Sequence, residues 1–144
     1  MKKITFSIIL MLVSHIIYSQ EVRDFKTKNE SNIKDRTMML DILRAKLYED
    51  FKQEFIFVVN HFKVSQNYAW FEGTAQRKDG REIVFNSEES HDCCLVTSLF
   101  KKSNGKWYIE ESGAFGTDVW WLGVSSRYPA PRSIFPKGEM YDSN

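Results

Sequence analysis

Between Ser90 and Leu95 the chain reads His91-Asp92-Cys93-Cys94, where an imidazole, a carboxylate and two thiols fall together. Such a set invites two chemistries, metal coordination and thiol exchange. A zinc site needs about four converging ligands, usually with two to four residues between paired cysteines. The chain has no second cysteine pair, and beyond its amino-terminal leader only His61 and His91 supply imidazoles. The run "CCLVTSLFKK" reads as a strand. Neighbouring side chains on a strand point to opposite faces, so the two sulfurs are expected to diverge, one inward and one outward. Structural cysteines are therefore the first reading. A disulfide between neighbours is the second, because an exported chain meets an oxidising compartment. A thiol or metal site at His91–Cys94 is the third. No metal and no cofactor is expected.

A different chemistry is available to carboxylates in a shielded pocket, where a raised pKa lets Asp or Glu act as acid or base. Asp118 and Glu72 are the candidates, with Arg36 as an ion-pair partner. Trp70, Trp120, Trp121 and Tyr128 supply aromatic walls for a binding pocket around them. The bland readings are a snorkelling surface arginine for Arg36, a helix cap for Asp118 and packing for the tryptophans. Glu88 with Glu89 and Glu110 with Glu111 are adjacent pairs that point apart on strands and read as solvated charge. The chain has no Gly-rich phosphate loop, nucleophile elbow or His-Glu-x-x-His. Nothing local joins a serine to a histidine base held by a carboxylate. No catalytic residue is assigned.

These groups must be positioned by elements that the sequence also outlines. The opening "MKKITFSIILMLVSHIIYSQ" has a basic start at Lys2 and Lys3, an apolar stretch from Ile4 to Tyr18, and a polar break at Ser19 and Gln20. It reads as a signal peptide over residues 1–19, too short to span a membrane stably and with no cysteine near the cut for a lipid anchor. Residues 20–31, "QEVRDFKTKNES", read as a flexible amino-terminal arm, and residues 32–144 as a single domain. Ser31 or Asn32 can cap a helix whose stripe comprises Ile33, Met39, Leu40, Ile42, Leu43, Leu47 and Phe51.

The following run "EFIFVVNHFKV" is dense in β-branched and aromatic residues and predicts a central strand. Strict alternation puts Ile56, Val58, Phe62 and Val64 on one face and Phe55, Phe57, Val59 and His61 on the other. In "YAWFEGTAQR", Ala69, Phe71, Gly73 and Ala75 share a face that lets the helix approach, opposite Tyr68, Trp70, Glu72 and Thr74. "KDG" predicts a turn into a strand over Arg81–Phe85, and "SNG" a hairpin turn between "CCLVTSLFKK" and "KWYIEES". Thr117 or Asp118 can cap a short helix carrying Trp120 and Trp121, which Pro129 and Pro131 prevent from continuing. Ile134 and Phe135 are expected to fold back and be buried. The fold class is thus α+β: one long N-terminal helix on a curved antiparallel sheet of about four to five strands, with a short C-terminal helix and tail.

The segments "RTMMLDILR", "FIFVVNHFKVSQNYAWFEGTAQRKDG", "CCLVTSLFKKSNGKWYI" and "GAFGTDVWWLGVSSRYPAPRSIF" resemble a group of small exported bacterial proteins of unassigned function. Their order of helix, strand meander and Thr-Asp turn is similar to the cystatin-like or nuclear-transport-factor-2-like α+β roll. That superfold hosts catalysts and binders alike. Lys2 and Lys3 account for two of the 20 basic residues set against 19 acidic ones, so the remainder is close to neutral and has no electrostatic footprint for nucleic acid. The expectation is a periplasmic or secreted, non-catalytic module that binds a small apolar ligand or a protein partner. The alternative is a roll-type enzyme using Asp118 or Glu72.

Overall fold

The computed structural model describes residues 21–85 and 90–142. The leader with its expected cut after Ser19, and the Glu88–Glu89 pair, lie outside the described residues. The fold is α+β, with one five-stranded antiparallel sheet in the order β1-β2-β3-β4-β5 and one long helix. The elements are β1 (Arg23–Asp24), α1 (Ile33–Phe51), β2 (Phe55–Ser65), β3 (Tyr68–Arg77), β4 (Leu95–Ser103), β5 (Lys106–Ala114) and a short α2 (Val124–Arg127). The helix therefore follows a strand and does not open the fold. Residues 21–31, expected as an arm, carry β1, and Phe25 is 1% exposed against Phe62.

The entry to α1 is built by two asparagines. Asn29 Oδ1 accepts from the backbone N–H groups of Ser31 (3.0 Å) and Asn32 (3.1 Å) and from the Ser31 hydroxyl (2.7 Å). Asn32 occupies the N-cap position, but its side chain turns back to the loop, accepting from Asn29 N–H and donating to the Thr27 carbonyl. Asp35 in the first turn faces the positive end of the helix dipole and pairs with Lys102 at 3.1 Å. Met39, Leu40, Leu43 and Leu47 form the buried stripe, with Ile42 and Phe51 half-buried. Ile33 is exposed and lies off that stripe. The helix ends at Lys52, which takes the left-handed conformation (φ 55°) usually given to glycine and donates its N–H to the Tyr48 carbonyl.

The helix packs on one face of the sheet, here called inner. Phe55, Phe62, Val64, Ala69, Phe71, Ala75, Val96 and Phe100 meet it there. The other face is covered by residues 120–141, through Tyr68, Trp70, Leu99, Val124, Ile134 and Phe135. Ile134 and Phe135 are both buried, as the sequence predicts.

Strict alternation along β2 does not hold. A bulge between Val59 and His61 inserts one residue, so Phe55, Phe57 and Val59 join Phe62 and Val64 on the inner side while Ile56 and Val58 are exposed. One extra residue reverses the facing of everything beyond it. In β3 the alternation survives, with Ala69, Phe71 and Ala75 inward and Tyr68 and Trp70 outward. Gly73 is required by crowding inside the sheet: a Cβ there would stand 2.5 Å from the Phe71 ring and 2.9 Å from the Val58 carbonyl oxygen.

The hairpin between β4 and β5 turns on Asn104 (φ 50°) and Gly105 (φ 74°), the left-handed pair that a two-residue turn demands. Residues 81–85 do not form the expected strand. They are held instead by a side chain: Gln53 accepts from the Val84 N–H (2.9 Å) and donates to the Val84 carbonyl (2.7 Å), supplying both bonds that a neighbouring strand would offer. Trp120 and Trp121 lie in turns ahead of α2, which starts only at Val124 after Gly123 in the left-handed region. Neither tryptophan is in the helix the sequence predicts, and neither Thr117 nor Asp118 caps it.

Candidate functional site

The outer face places one residue from each of four strands in a single row: His61, Glu72, Thr97 and Gly113 are consecutive cross-strand partners. The carboxyl-terminal segment is fastened along this row. His61 Nε2 lies 2.7 Å from the Ile134 carbonyl, and since a carbonyl only accepts, that nitrogen carries a proton. Glu72 Oε1 accepts from the Trp70 indole N–H (2.8 Å) and from the Tyr141 hydroxyl (2.5 Å). Burial, followed by the bond to Glu72, raises the Tyr141 pKa. Gly113 meets the Trp120 indole so closely that a Cβ would overlap it.

The next row repeats the arrangement. Glu111 Oε2 accepts from the Tyr128 hydroxyl (2.6 Å) and from Arg127 Nη1 (2.8 Å), while Arg127 Nη2 donates to the Trp120 carbonyl (2.6 Å). The hydrogen bond to Glu111 raises the Tyr128 pKa. Arg132 closes the tail by pairing with Asp142 and donating to the carbonyls of Phe135 and Pro136.

The structure thus brings together five of the seven residues proposed for ligand binding: Trp70, Glu72, Trp120, Trp121 and Tyr128. Their contacts are mostly with one another and with the tail. Trp70 is fully buried, its ring 5.6 Å from Trp120 and 5.2 Å from Phe135. Arg36 lies apart, at the entrance to α1, where Nε donates to the Phe25 carbonyl (2.8 Å) and Nη2 to the Lys26 carbonyl (3.3 Å). It ties β1 to the helix. Asp118 is exposed; it lies with Trp120 and Trp121 along a small cavity of about 120 Å³ and also on the rim of a larger cleft.

That cleft has a volume of about 790 Å³ and opens where the last turn of α1 meets the residues on either side of β5's end. Phe51 comes from the helix, Phe85 from the segment held by Gln53, His91 from the approach to β4, and Phe115 and Asp118 from beyond β5. Phe115 anchors the aromatic wall. Its ring centre lies 4.9 Å from Phe51 and 5.3 Å from Phe85, and it is 1% exposed. Its backbone is in the left-handed region (φ 59°), clamped by hydrogen bonds from Phe115 N–H to the Leu95 carbonyl (3.0 Å) and from Asp92 N–H to the Phe115 carbonyl (2.9 Å). A bulky residue held at positive φ is a genuine outlier that its surroundings must impose. His91 lies flat on Phe85, with ring centres 4.2 Å apart and planes 13° from parallel.

Cys93 and Cys94 are joined by a disulfide, and no cysteine among the described residues is free. This corrects the expectation of diverging sulfurs. The alternation rule applies within a strand, and β4 begins only at Leu95, so the pair sits in the turn before it. The Cys94 carbonyl accepts from Ala75 N–H at 2.8 Å, fixing the turn to the end of β3. The disulfide lines a second groove, of about 680 Å³, on the far side of Phe85. Among the described residues no group of three or more His, Cys, Asp and Glu side chains is placed to hold a metal ion.

The chain matches no protein-family model, no curated protein and no solved structure. The geometry alone therefore carries the functional argument. Sequence reasoning missed the cleft's aromatic residues. Phe51 was visible only as the end of a helical stripe and Phe85 as the end of an expected strand, while no pattern singled out Phe115. Gly113 and Gly116 around Phe115 mark an irregular backbone but not where its ring points.

Proposed function

We propose that this chain is an exported, non-catalytic binding module, and that the cleft bounded by Phe51, Phe85, His91, Phe115 and Asp118 takes a small ligand with an apolar body. The observation that carries the reading is the cleft itself. Its volume of about 790 Å³ falls in the range of small-molecule sites, and its wall sets the rings of Phe51 and Phe85 beside the polar side chains of Asp50, Ser90, His91, Thr117 and Asp118. The disposition of Glu72 supports binding over catalysis. Its carboxylate is engaged by Trp70 and Tyr141. The leader-like sequence of residues 1–19 supports export to the periplasm or beyond, and the disulfide suits such a compartment. One helix against an antiparallel meander is compatible with a cystatin-like or nuclear-transport-factor-2-like roll.

The test is a titration with N-phenyl-1-naphthylamine, a neutral apolar fluorophore. Saturable binding is expected, and an Ala114→Trp variant, which places an indole in the cleft, should abolish it. A probe that never saturates would sink the proposal. Circular dichroism of the variant distinguishes a filled cleft from a lost fold.

A further inference from the structure

The cleft has a sign as well as a size. Among the described residues, two carboxylates, Asp50 and Asp118, and the His91 imidazole line it, and no lysine or arginine does. Asp50 is partly offset by Lys46 at 2.9 Å. Asp118 is exposed and makes no hydrogen bond or ion pair among the described residues, so its charge is uncompensated at the rim. The wall beside it includes Phe51, Phe85 and Phe115, whose contacts with one another are edge-to-face. An aromatic face carries a negative quadrupole and attracts cations, most strongly where water is thinned. Carboxylate and rings therefore favour the same kind of guest.

We infer that the ligand of this cleft is an organic cation, an amine or quaternary ammonium group attached to an apolar body. The inference rests on reading the cleft as a ligand site. The apolar body lies against the half-buried Phe51 and Phe85 rings, which the buried Phe115 backs, and the cationic head sits between them and Asp118. An anionic ligand of the same shape meets two carboxylates and, among the described residues lining the cleft, neither lysine nor arginine. A bare metal ion would find no cluster of three or more ligating side chains among the described residues.

The experiment uses the full domain with its disulfide intact and the neutral naphthylamine as reporter, displaced in turn by 4-phenylbutylamine, 4-phenylbutanol and 5-phenylpentanoate. The three competitors share a phenylalkyl body and differ in charge. The expected result is displacement by the amine at a concentration about tenfold lower than by the carboxylate, with the alcohol between, since a rim charge acts at an effective dielectric between that of protein surface and water. Raising the salt concentration should narrow the ratio. Asp118→Asn should shrink it towards unity. Equal or better displacement by the carboxylate overturns the cationic assignment while the cleft remains a ligand site. Failure of the neutral reporter to bind overturns both. A preference for the amine that survives Asp118→Asn and Asp50→Asn also overturns the assignment, because it then arises elsewhere.

Discussion

The Tyr141 hydroxyl donates to Glu72 Oε1 across 2.5 Å of space and 69 residues of sequence. It fastens the end of the chain to the middle of β3, beside the buried Trp70. A hydrogen bond to a charged acceptor contributes about 1.5–3 kcal/mol net. Tyr141→Phe keeps the ring and removes only the donor, so a loss of that order is expected in urea unfolding, with the inner core undisturbed. An unchanged midpoint would show that the tail contributes nothing to global stability.

The same hydroxyl sets an alkaline limit. Tyr141 and Tyr128 both have folded pKa values raised above the ordinary value of 10.0. A group raised on folding stabilises fully below its unfolded pKa and loses that contribution as pH climbs through its folded one. Stability is therefore expected to hold up to about pH 10 and to fall above it. The double variant Tyr128→Phe, Tyr141→Phe should be less stable at neutral pH and show a flatter alkaline limb. Denaturation midpoints measured from about pH 8 to about pH 11 would check both.

Gly113 and Gly73 are expected to be intolerant of alanine for different reasons. At Gly113 the added methyl overlaps the Trp120 indole, which must lift from the sheet. At Gly73 it meets the Val58 backbone oxygen, which cannot swing away. Overpacking of this kind costs about 1–3 kcal/mol. Gly113→Ala should in addition change tryptophan fluorescence, whereas Gly73→Ala should lower stability without that signal.

Arg36 serves the amino-terminal strand. Arg36→Ala leaves the carbonyls of Phe25 and Lys26 without their donors and should cost about 1–2 kcal/mol. Hydrogen exchange should quicken at Phe25, whose N–H bonds to the Phe62 carbonyl, and remain slow in β4. Uniform quickening would mean that Arg36 supports the whole fold.

The cysteine pair gives a direct count. Alkylation of the unfolded, unreduced protein should add no label, and alkylation after reduction should add two, read by intact mass. Labels before reduction would refute the bonded pair.

Periodic signals located most of the elements. The 3- and 4-residue spacing from Met39 to Leu47, the alternation of β3 and the Asn104-Gly105 turn are local patterns with local causes, and each gave the right element. What escaped were features caused by distant partners. The bulge in β2 has no sequence mark of its own, so the facing of Ile56 and Val58 was reversed. Residues 81–85 have strand-like composition but find the Gln53 side chain where a strand was expected. Tryptophans 120 and 121 were legible as cover for the sheet but not as turn residues, since the geometry there follows from the close fit of Trp120 on Gly113. The cleft was illegible for the same reason: its walls come from four separated segments, joined only once the sheet is formed.

The consecutive strand order has a consequence for how such a chain emerges. Made amino terminus first, β3, β4 and β5 each find their hydrogen-bonding neighbour already present, and β1 waits only for β2, so sheet growth can keep pace with synthesis. The stretch from Ile134 to Tyr141 must reach far backwards, to His61 and Glu72. A product cut short before Ile134 would keep its meander but leave Trp70 without its Phe135 and Tyr141 neighbours, a greasy scar by which a quality-control protease could tell unfinished molecules from complete ones.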